Sequence, residues 1–373
     1  MALTEVPPRM NDGRRDTAAA PRRITGAAGE PGHDHTVLTD ADCARIATVL
    51  NASVGAPVRT LSARLLSGGR SNLTYALSDG KRSWVLRRPP LGHLLETAHD
   101  MRREFRVISA LRHTNVPVPD AIVYCDDPDV IGTNFYIMAL VEGRVLRTAE
   151  DMSRLSPTEA TTLSNAFVDA LAELHLVDYE RAGLADLGRP DGYLERQLTR
   201  WNKQLTSSQS RDIPGFRALA DGLIDSMPVT TRSSIVHGDF RLDNAIVHPH
   251  AAGTILAILD WEMATLGDPL ADLGLFYLYW QGWRGLDNPI AATPAAQDGF
   301  PDWEQLADRY ARHAGLELRG FEWYRAFAFF KFAVICEGIH FRYLRGLTVG
   351  DGFDRIGAMV PELVRRGLAE LRN

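Results

Sequence analysis

The pattern of apolar and polar positions changes period along the chain, and the changes divide it. A helix is predicted over residues 39–51, opened by Thr39 or Asp40 as N-cap. From Val58 to Leu86 the pattern is strand-like. Arg64-Leu65-Leu66, Leu73-Thr74-Tyr75-Ala76-Leu77 and Ser83-Trp84-Val85-Leu86-Arg87 are separated by the Gly-bearing turns Ser67–Asn72 and Ser78–Lys81. Such runs predict an antiparallel meander. Phe105, Ile108 and Leu111 then share one face of a helix over 99–113, and two more strands are expected at Ala121–Cys125 and Phe135–Leu140.

After Gly143 the pattern turns helical. Ser156-Pro157-Thr158-Glu159 is a capping box with proline at the first helical position, opening a helix striped by Leu163, Phe167, Leu171 and Leu174. Further helices are predicted near 191–206, 214–226, 270–282, 302–314, 320–345 and 353–371, with short apolar strands at Ser234–Val236 and Ile255–Leu259. The expected organisation is a disordered leader over 1–36, a β-rich lobe over 37–140 and a larger helical lobe over 141–373. The leader is rich in Pro, Gly, Ala and Arg and offers too little apolar surface to offset ordering entropy. His33 and His35 within it read as a stray pair rather than a metal site.

Composition narrows the class. The 373 residues are 45% hydrophobic and 24% charged, with a formal net charge of -6. That balance suits a globular protein with a large core and argues against a dedicated nucleic-acid binder. No apolar stretch reaches the roughly 18 uncharged residues of a membrane span. The three cysteines, Cys43, Cys125 and Cys336, are far apart and form no CxxC pair, so a reducing cytoplasm fits best. Arginine supplies 38 of the 41 basic residues; only Lys81, Lys203 and Lys331 are lysine.

The chemistry concentrates after the strand Ser234–Val236, in His237-Gly238-Asp239-Phe240-Arg241-Leu242-Asp243-Asn244. A second apolar strand ends in Asp260-Trp261-Glu262. Phosphoryl transfer asks a protein to hold an acceptor hydroxyl in line and to neutralise developing charge. A loop carboxylate suits the first task; an Asn carbonyl and a second carboxylate suit hard, oxygen-seeking Mg²⁺. His237-Gly238-Asp239 through Asn244, with Asp260 beyond, resembles the catalytic loop and metal motif of the aminoglycoside phosphotransferase family. The resemblance implies an α+β, bilobal, protein-kinase-like fold using ATP and Mg²⁺. It further implies Asp239 as catalytic base, Asn244 and Asp260 as Mg²⁺ ligands, His237 as a loop anchor, and Asp268 and Asp272 as braces of the loop.

Other expected pieces follow in order. Gly68, Gly69, Ser71 and Asn72 stand where a nucleotide-covering loop belongs, although a plain hairpin turn would look the same. Gly80-Lys81 lacks the spacing of a Walker A loop. The third strand should present a phosphate-gripping cation, and here that is Arg87 or its neighbour Arg88, with Glu104 as the pairing carboxylate. Met138 to Leu140 would hold adenine at the hinge, and Gly143 would turn the chain into the helical lobe. Residues 60 to 345 are similar to one branch of the family, kinase domains attached to certain acyl-CoA dehydrogenases, members of which phosphorylate hydroxyacyl-CoA substrates. No dehydrogenase domain is read in these 373 residues, so that acceptor stands as one candidate among several.

The expected activity is transfer of the ATP γ-phosphate to a hydroxyl of a small molecule: a hydroxyacyl-CoA-like metabolite, an antibiotic or a natural-product intermediate. Two alternatives stand beside it, a kinase of Ser or Thr side chains in a small peptide and a nucleotide-binding pseudokinase scaffold. Neither nucleic acid nor membrane is an expected partner. His248 and His250 read as turn residues, His175 as a packing or capping residue, and the aromatics from Phe321 to Phe330 as helix core. Arg342 and Arg345 lean towards an anionic acceptor.

Overall fold

The computed structural model describes residues 37–55, 57–68, 72–90, 100–347 and 352–372. The leader expected over 1–36, with His33 and His35, lies outside them, as do Gly69 and Ser71. Thr39 Oγ1 accepts from the Asp42 N–H while the Asp42 carboxylate accepts from the Thr39 N–H, a capping box that starts α1 (Asp40–Asn51). Strands β1 (Ser62–Gly68), β2 (Leu73–Ser78) and β3 (Ser83–Arg88) follow, then α2 (Met101–Leu111). Next come β4 (Ala121–Cys125), the single turn α3 (Pro128–Ile131) and β5 (Phe135–Ala139). The sheet order is β1-β2-β3-β5-β4, and each neighbouring pair is antiparallel.

Strand alternation assigns the two faces of this sheet. Trp84 and Leu86 of β3 share a core with Ile46 and Leu50 of α1, whereas Val85 joins Val107 of α2 and Met138 of β5. The α2 side is continuous with the core of the helical part, so the sheet rests on the rest of the molecule through that face.

The helical part begins with α4 (Ala149–Ser153) and α5 (Pro157–Leu176). Ser156 and Glu159 close the capping box expected for α5, and Leu163, Phe167, Leu171 and Leu174 along it are fully buried. After α6 (Tyr193–Ser208) and α7 (Phe216–Asp225) come four short strands, β6 (Ser234–Val236), β7 (Ala245–Val247), β8 (Ile255–Ile258) and β9 (Thr265–Gly267). They pair as β6 with β9 and β7 with β8. Helices α8 (Pro269–Tyr277), α9 (Trp303–Ala314), α10 (Phe321–Leu344) and α11 (Phe353–Glu370) complete the chain. A small antiparallel sheet followed by a larger helical body is the expected α+β layout.

Differences from the sequence reading have local causes. α3, α4, β7 and β9 are three to five residues long, too short to display either apolar period. The helix expected over 270–282 is α-helical to Tyr277 and then widens into a π-helical turn, Leu278–Gly282. Such a turn rotates the residues that follow around the helix axis. The aromatics from Phe321 to Phe330 on α10 are buried, as expected of helix core. Among the described residues, no helix is long and apolar enough to cross a membrane.

Candidate active site

β6 delivers the chain to His237 and Gly238. Gly238 has φ +85°, and a Cβ there would lie 2.8 Å from the Met263 Cβ, so only glycine passes without strain. The backbone of this turn is gripped from α8. Asp272 accepts from the His237 N–H at 2.6 Å and the Gly238 N–H at 2.9 Å, and His175 Nε2 lies 3.4 Å from it. Burial pushes the Asp272 pKa up, but the hydrogen bond and charge of His175, together with His237, outweigh it and hold the carboxyl below its ordinary range. His175 is therefore a buried brace, with Tyr310 Oη 2.6 Å from its Nδ1. His237 Nε2 lies 2.9 Å from the Leu259 carbonyl, so it must donate there, while Nδ1 accepts the Asp239 N–H at 3.2 Å. That pair of contacts requires the neutral Nε2–H tautomer.

Asp239 is held at both carboxylate oxygens. The Tyr279 hydroxyl donates to Oδ1 at 2.5 Å. Asn244 Nδ2 donates to Oδ2 at 3.1 Å and to the Asp239 carbonyl at 2.9 Å. Behind the loop, the half-buried Lys331 of α10 donates to the Gly238 carbonyl at 3.2 Å. Burial lowers the Lys331 pKa, against the opposing charges of Asp239 and Asp272. Arg241 pairs with Asp243 and lays its guanidinium 5.2 Å from the Tyr279 ring centroid.

β8 leads to Asp260, the one non-glycine residue with positive φ (68°) among the described residues. A left-handed backbone costs such a residue roughly 1–2 kcal/mol, and its neighbours enforce it. Trp261 is fully buried with Nε1–H donating to the Ile258 carbonyl at 2.9 Å, and the Leu259 N–H donates to the Asn244 carbonyl at 2.7 Å. Asp260 thus sits beside Asn244 through backbone contacts rather than through sequence proximity.

Strand alternation separates the two arginines of β3. Arg88 shares the α1 face with Trp84 and Leu86, where Nη2 donates to the Tyr75 hydroxyl at 2.9 Å. Arg87 points the other way, into the interlobe cleft. Its Nη1 lies 2.9 Å from Glu104 Oε1 and its Nη2 3.2 Å from Asp260 Oδ1. Glu104, on α2, is fully buried; burial raises its pKa even against the attraction of Arg87. Burial works against the charge on Arg87, but Glu104, Tyr136 and Asp260 together push its pKa up, so the guanidinium stays charged.

Asn72 Nδ2 donates to Glu262 Oε2 at 3.0 Å, joining the start of β2 to the segment after Asp260. Burial, then the charges of Asp260 and Glu104, push Glu262 up to about 7. Asn72, Arg87, Met138, Leu140, Asn244 and Asp260 all line one cleft of about 580 Å³ between sheet and helices. Its floor at the hinge is tight, since a Cβ on Gly143 would come within 2.4 Å of Ile246 Cγ2. Glu104 reaches the cleft through Arg87, and Asp239 through Asn244. Gly68 ends β1 opposite Leu73, while Gly69 and Ser71 lie outside the described residues.

Three participants had no role in the sequence reading. Lys331 stood out only as one of three lysines, Glu262 only as part of the motif after β8, and Tyr279 carried no signal at all. Other candidates lie elsewhere. His250 N–H donates to His248 Nδ1 within a turn. Arg342 and Arg345 are exposed at the end of α10, with Arg345 stacked on Phe341.

Asp260 and Asn244 fit a divalent cation by their donor chemistry. Asn244 spends its amide nitrogen on Asp239, which leaves the carbonyl oxygen as the atom it can offer. Among the described residues no three His, Cys, Asp or Glu side chains converge on a metal site. A cation held by these two residues would have to complete its shell with oxygens from outside the protein.

Comparison with known proteins bears on this arrangement. The sequence profile of the Phosphotransferase enzyme family matches residues 62–327. Acyl-CoA dehydrogenase family member 11 of Gallus gallus is 37% identical over 318 residues, covering 84% of this chain and 40% of that protein. The Homo sapiens counterpart is 36% identical over 312 residues, covering 83% and 40%. The chain thus spans about 40% of the length of these relatives. Among solved structures, a putative aminoglycoside phosphotransferase from Ralstonia eutropha has a TM-score of 0.78 at 34% identity, covering 88% of this chain and 97% of that one. A GDP complex of aminoglycoside 2'-phosphotransferase-IIIa has a TM-score of 0.55 at 16% identity, covering 87% and 97%, a likeness of fold.

Proposed function

The chain belongs to the Phosphotransferase enzyme family, and on that premise we propose that it transfers the γ-phosphate of ATP to a hydroxyl group of a small molecule. The observation that carries the proposal is the convergence of Arg87, Asn244 and Asp260 on one cleft, with Asp239 bonded to Asn244 at its edge, from three separate stretches of sequence. In this reading Asp239 orients the acceptor hydroxyl and takes its proton as the bond to phosphorus forms. Arg87, kept charged and steadied by Glu104, faces the nucleotide phosphates with a planar fork of donors. Met138 and Leu140 flank the adenine at the end of β5. Asn244 and Asp260 hold Mg²⁺, which supplies charge neutralisation on the phosphates. The same convergence weighs against a pseudokinase scaffold, which has no use for a carboxylate fixed at both oxygens.

Relatives named for acyl-CoA dehydrogenase make hydroxyacyl-CoA esters the first acceptors to try, with aminoglycosides as the contrasting cationic set. The test is transfer of label from γ-labelled ATP to that panel by the parent and by Asp239→Asn. The parent is expected to label at least one acceptor. The variant is expected to lose about 10²- to 10⁴-fold in turnover, the usual worth of a positioned base, while melting at the parental temperature. An Asp239→Asn protein that keeps parental turnover refutes the role of Asp239; no label transferred to any hydroxyl refutes the reaction.

A further inference from the structure

We infer that Tyr279 is the positioning residue for the catalytic carboxylate, holding Asp239 Oδ1 throughout turnover rather than standing in for the acceptor. The inference rests on the phosphotransfer reading above and adds a residue to it. Its hydroxyl donates to Oδ1 at 2.5 Å, while Asn244 donates to Oδ2 at 3.1 Å. Two donors at opposite ends of a carboxylate leave its plane one orientation. The acceptor hydroxyl then meets the lone pairs that neither donor uses.

Two observations separate a permanent holder from a placeholder. First, Tyr279 lies within the π-helical turn Leu278–Gly282, a widening of α8 that shifts the register of everything after Tyr277. Turns of this kind cost hydrogen-bond geometry and recur at functional sites; here the widened turn presents Tyr279 to the catalytic loop. Second, the ring has no room to leave. Trp283 and Phe332 meet it edge-on, with centroids at 5.3 and 5.9 Å, and the Arg241 guanidinium covers it at 5.2 Å. Swinging the side chain off Asp239 would open that packed cluster, so an incoming hydroxyl shares the carboxylate with Tyr279.

Tyr279→Phe keeps the ring and removes only the donor. Two measurements on the full-length variant test the inference. The first is hydrolysis of Mg²⁺-ATP, with water in the acceptor's place. The expected result is at least a ten-fold fall in kcat with KM for ATP unchanged and a parental melting temperature. Tyr277→Phe is the control: two residues before Tyr279, its hydroxyl donates to Glu370 at 3.3 Å rather than to Asp239, and its turnover should match the parent. The second is a crystal structure of Tyr279→Phe, in which the Asp239 carboxylate should turn out of its plane. Parental kcat in the variant, or an Asp239 carboxylate left in place, overturns the inference. If the parent hydrolyses no ATP and labels no acceptor, the phosphotransfer reading fails, and the orientation of Asp239 still decides this one.

Discussion

Replacing Arg87 separates the geometry of the guanidinium from its charge. The native fork spans two carboxylates from opposite sides of the cleft, Glu104 at 2.9 Å through Nη1 and Asp260 at 3.2 Å through Nη2. Arg87→Lys keeps the charge on a single nitrogen, which can serve one of those partners well. One charge-assisted contact is worth about 1.5–3 kcal/mol, and about 1.4 kcal/mol is a factor of ten. The lysine variant is therefore expected to lose about ten- to a hundred-fold in kcat/KM for ATP, measured by a coupled assay for ADP. Arg87→Ala tests the same contact through stability. It strands Glu104, which is fully buried, and breaking a buried pair costs roughly 3–5 kcal/mol. The sign with pH follows from burial. A stranded Glu104 has a folded pKa above its unfolded value, so the folded state keeps a proton that the unfolded state has lost. Stability in the alanine variant therefore falls as pH rises above the unfolded pKa, and urea unfolding should show a smaller loss at pH 5 than at pH 8. Parental kcat/KM in Arg87→Lys, together with an equal loss at both pH values in Arg87→Ala, would refute the bridging argument.

Three further outcomes are expected. Gly238→Ala, forced to φ +85° with its Cβ 2.8 Å from Met263, should destabilise the protein by about 2 kcal/mol and abolish transfer; a parental urea midpoint would count against the turn argument. Glu262, pushed up to about 7 by burial and by Asp260 and Glu104, keeps its proton in the folded state where the unfolded chain has lost it, so it withdraws stability as pH rises from about 4.5 to 7. Glu262→Gln should flatten the pH–stability curve across that window, and an unchanged slope sinks the assignment. Finally, Mg²⁺ alone should leave the melting temperature unmoved, whereas Mg²⁺ with ATP at a hundred times its Kd should add about 2.7 kcal/mol of stability; a large shift from the metal alone would show that the protein binds it without phosphates.

What could be read from the sequence follows from range. Helix starts were legible because their signals are local: Thr39 with Asp42 and Ser156 with Glu159 declare their caps within four residues. The meander was legible because period-two runs and glycine turns lie side by side. The choice between Arg87 and Arg88 was open because it depends on which face of β3 meets α1, and α1 lies some forty residues upstream. Tyr279 and Lys331 stayed invisible for a stronger reason. Their partners, Asp239 and Gly238, are 40 and 93 residues away, and the π-helical turn that aims Tyr279 has no compositional mark. Glu262 was read as part of a motif, but its tie to Asn72 spans 190 residues.

The guanidinium at Arg87 also decides which reagents can mark this cleft. An electrophile carried in on a nucleotide and designed to acylate an ε-amine finds none among the residues lining it, and a guanidinium that stays protonated offers no nucleophilic lone pair. The amine behind the catalytic loop, Lys331, is chemically the readier target because desolvation lowers its pKa, yet its Nζ is engaged by the Gly238 carbonyl and lies over the Trp201 ring. Acylation of Lys331 would therefore report that the packing beneath Gly238 has opened, making a lysine-directed label a gauge of loosening behind the loop rather than of nucleotide occupancy in front of it.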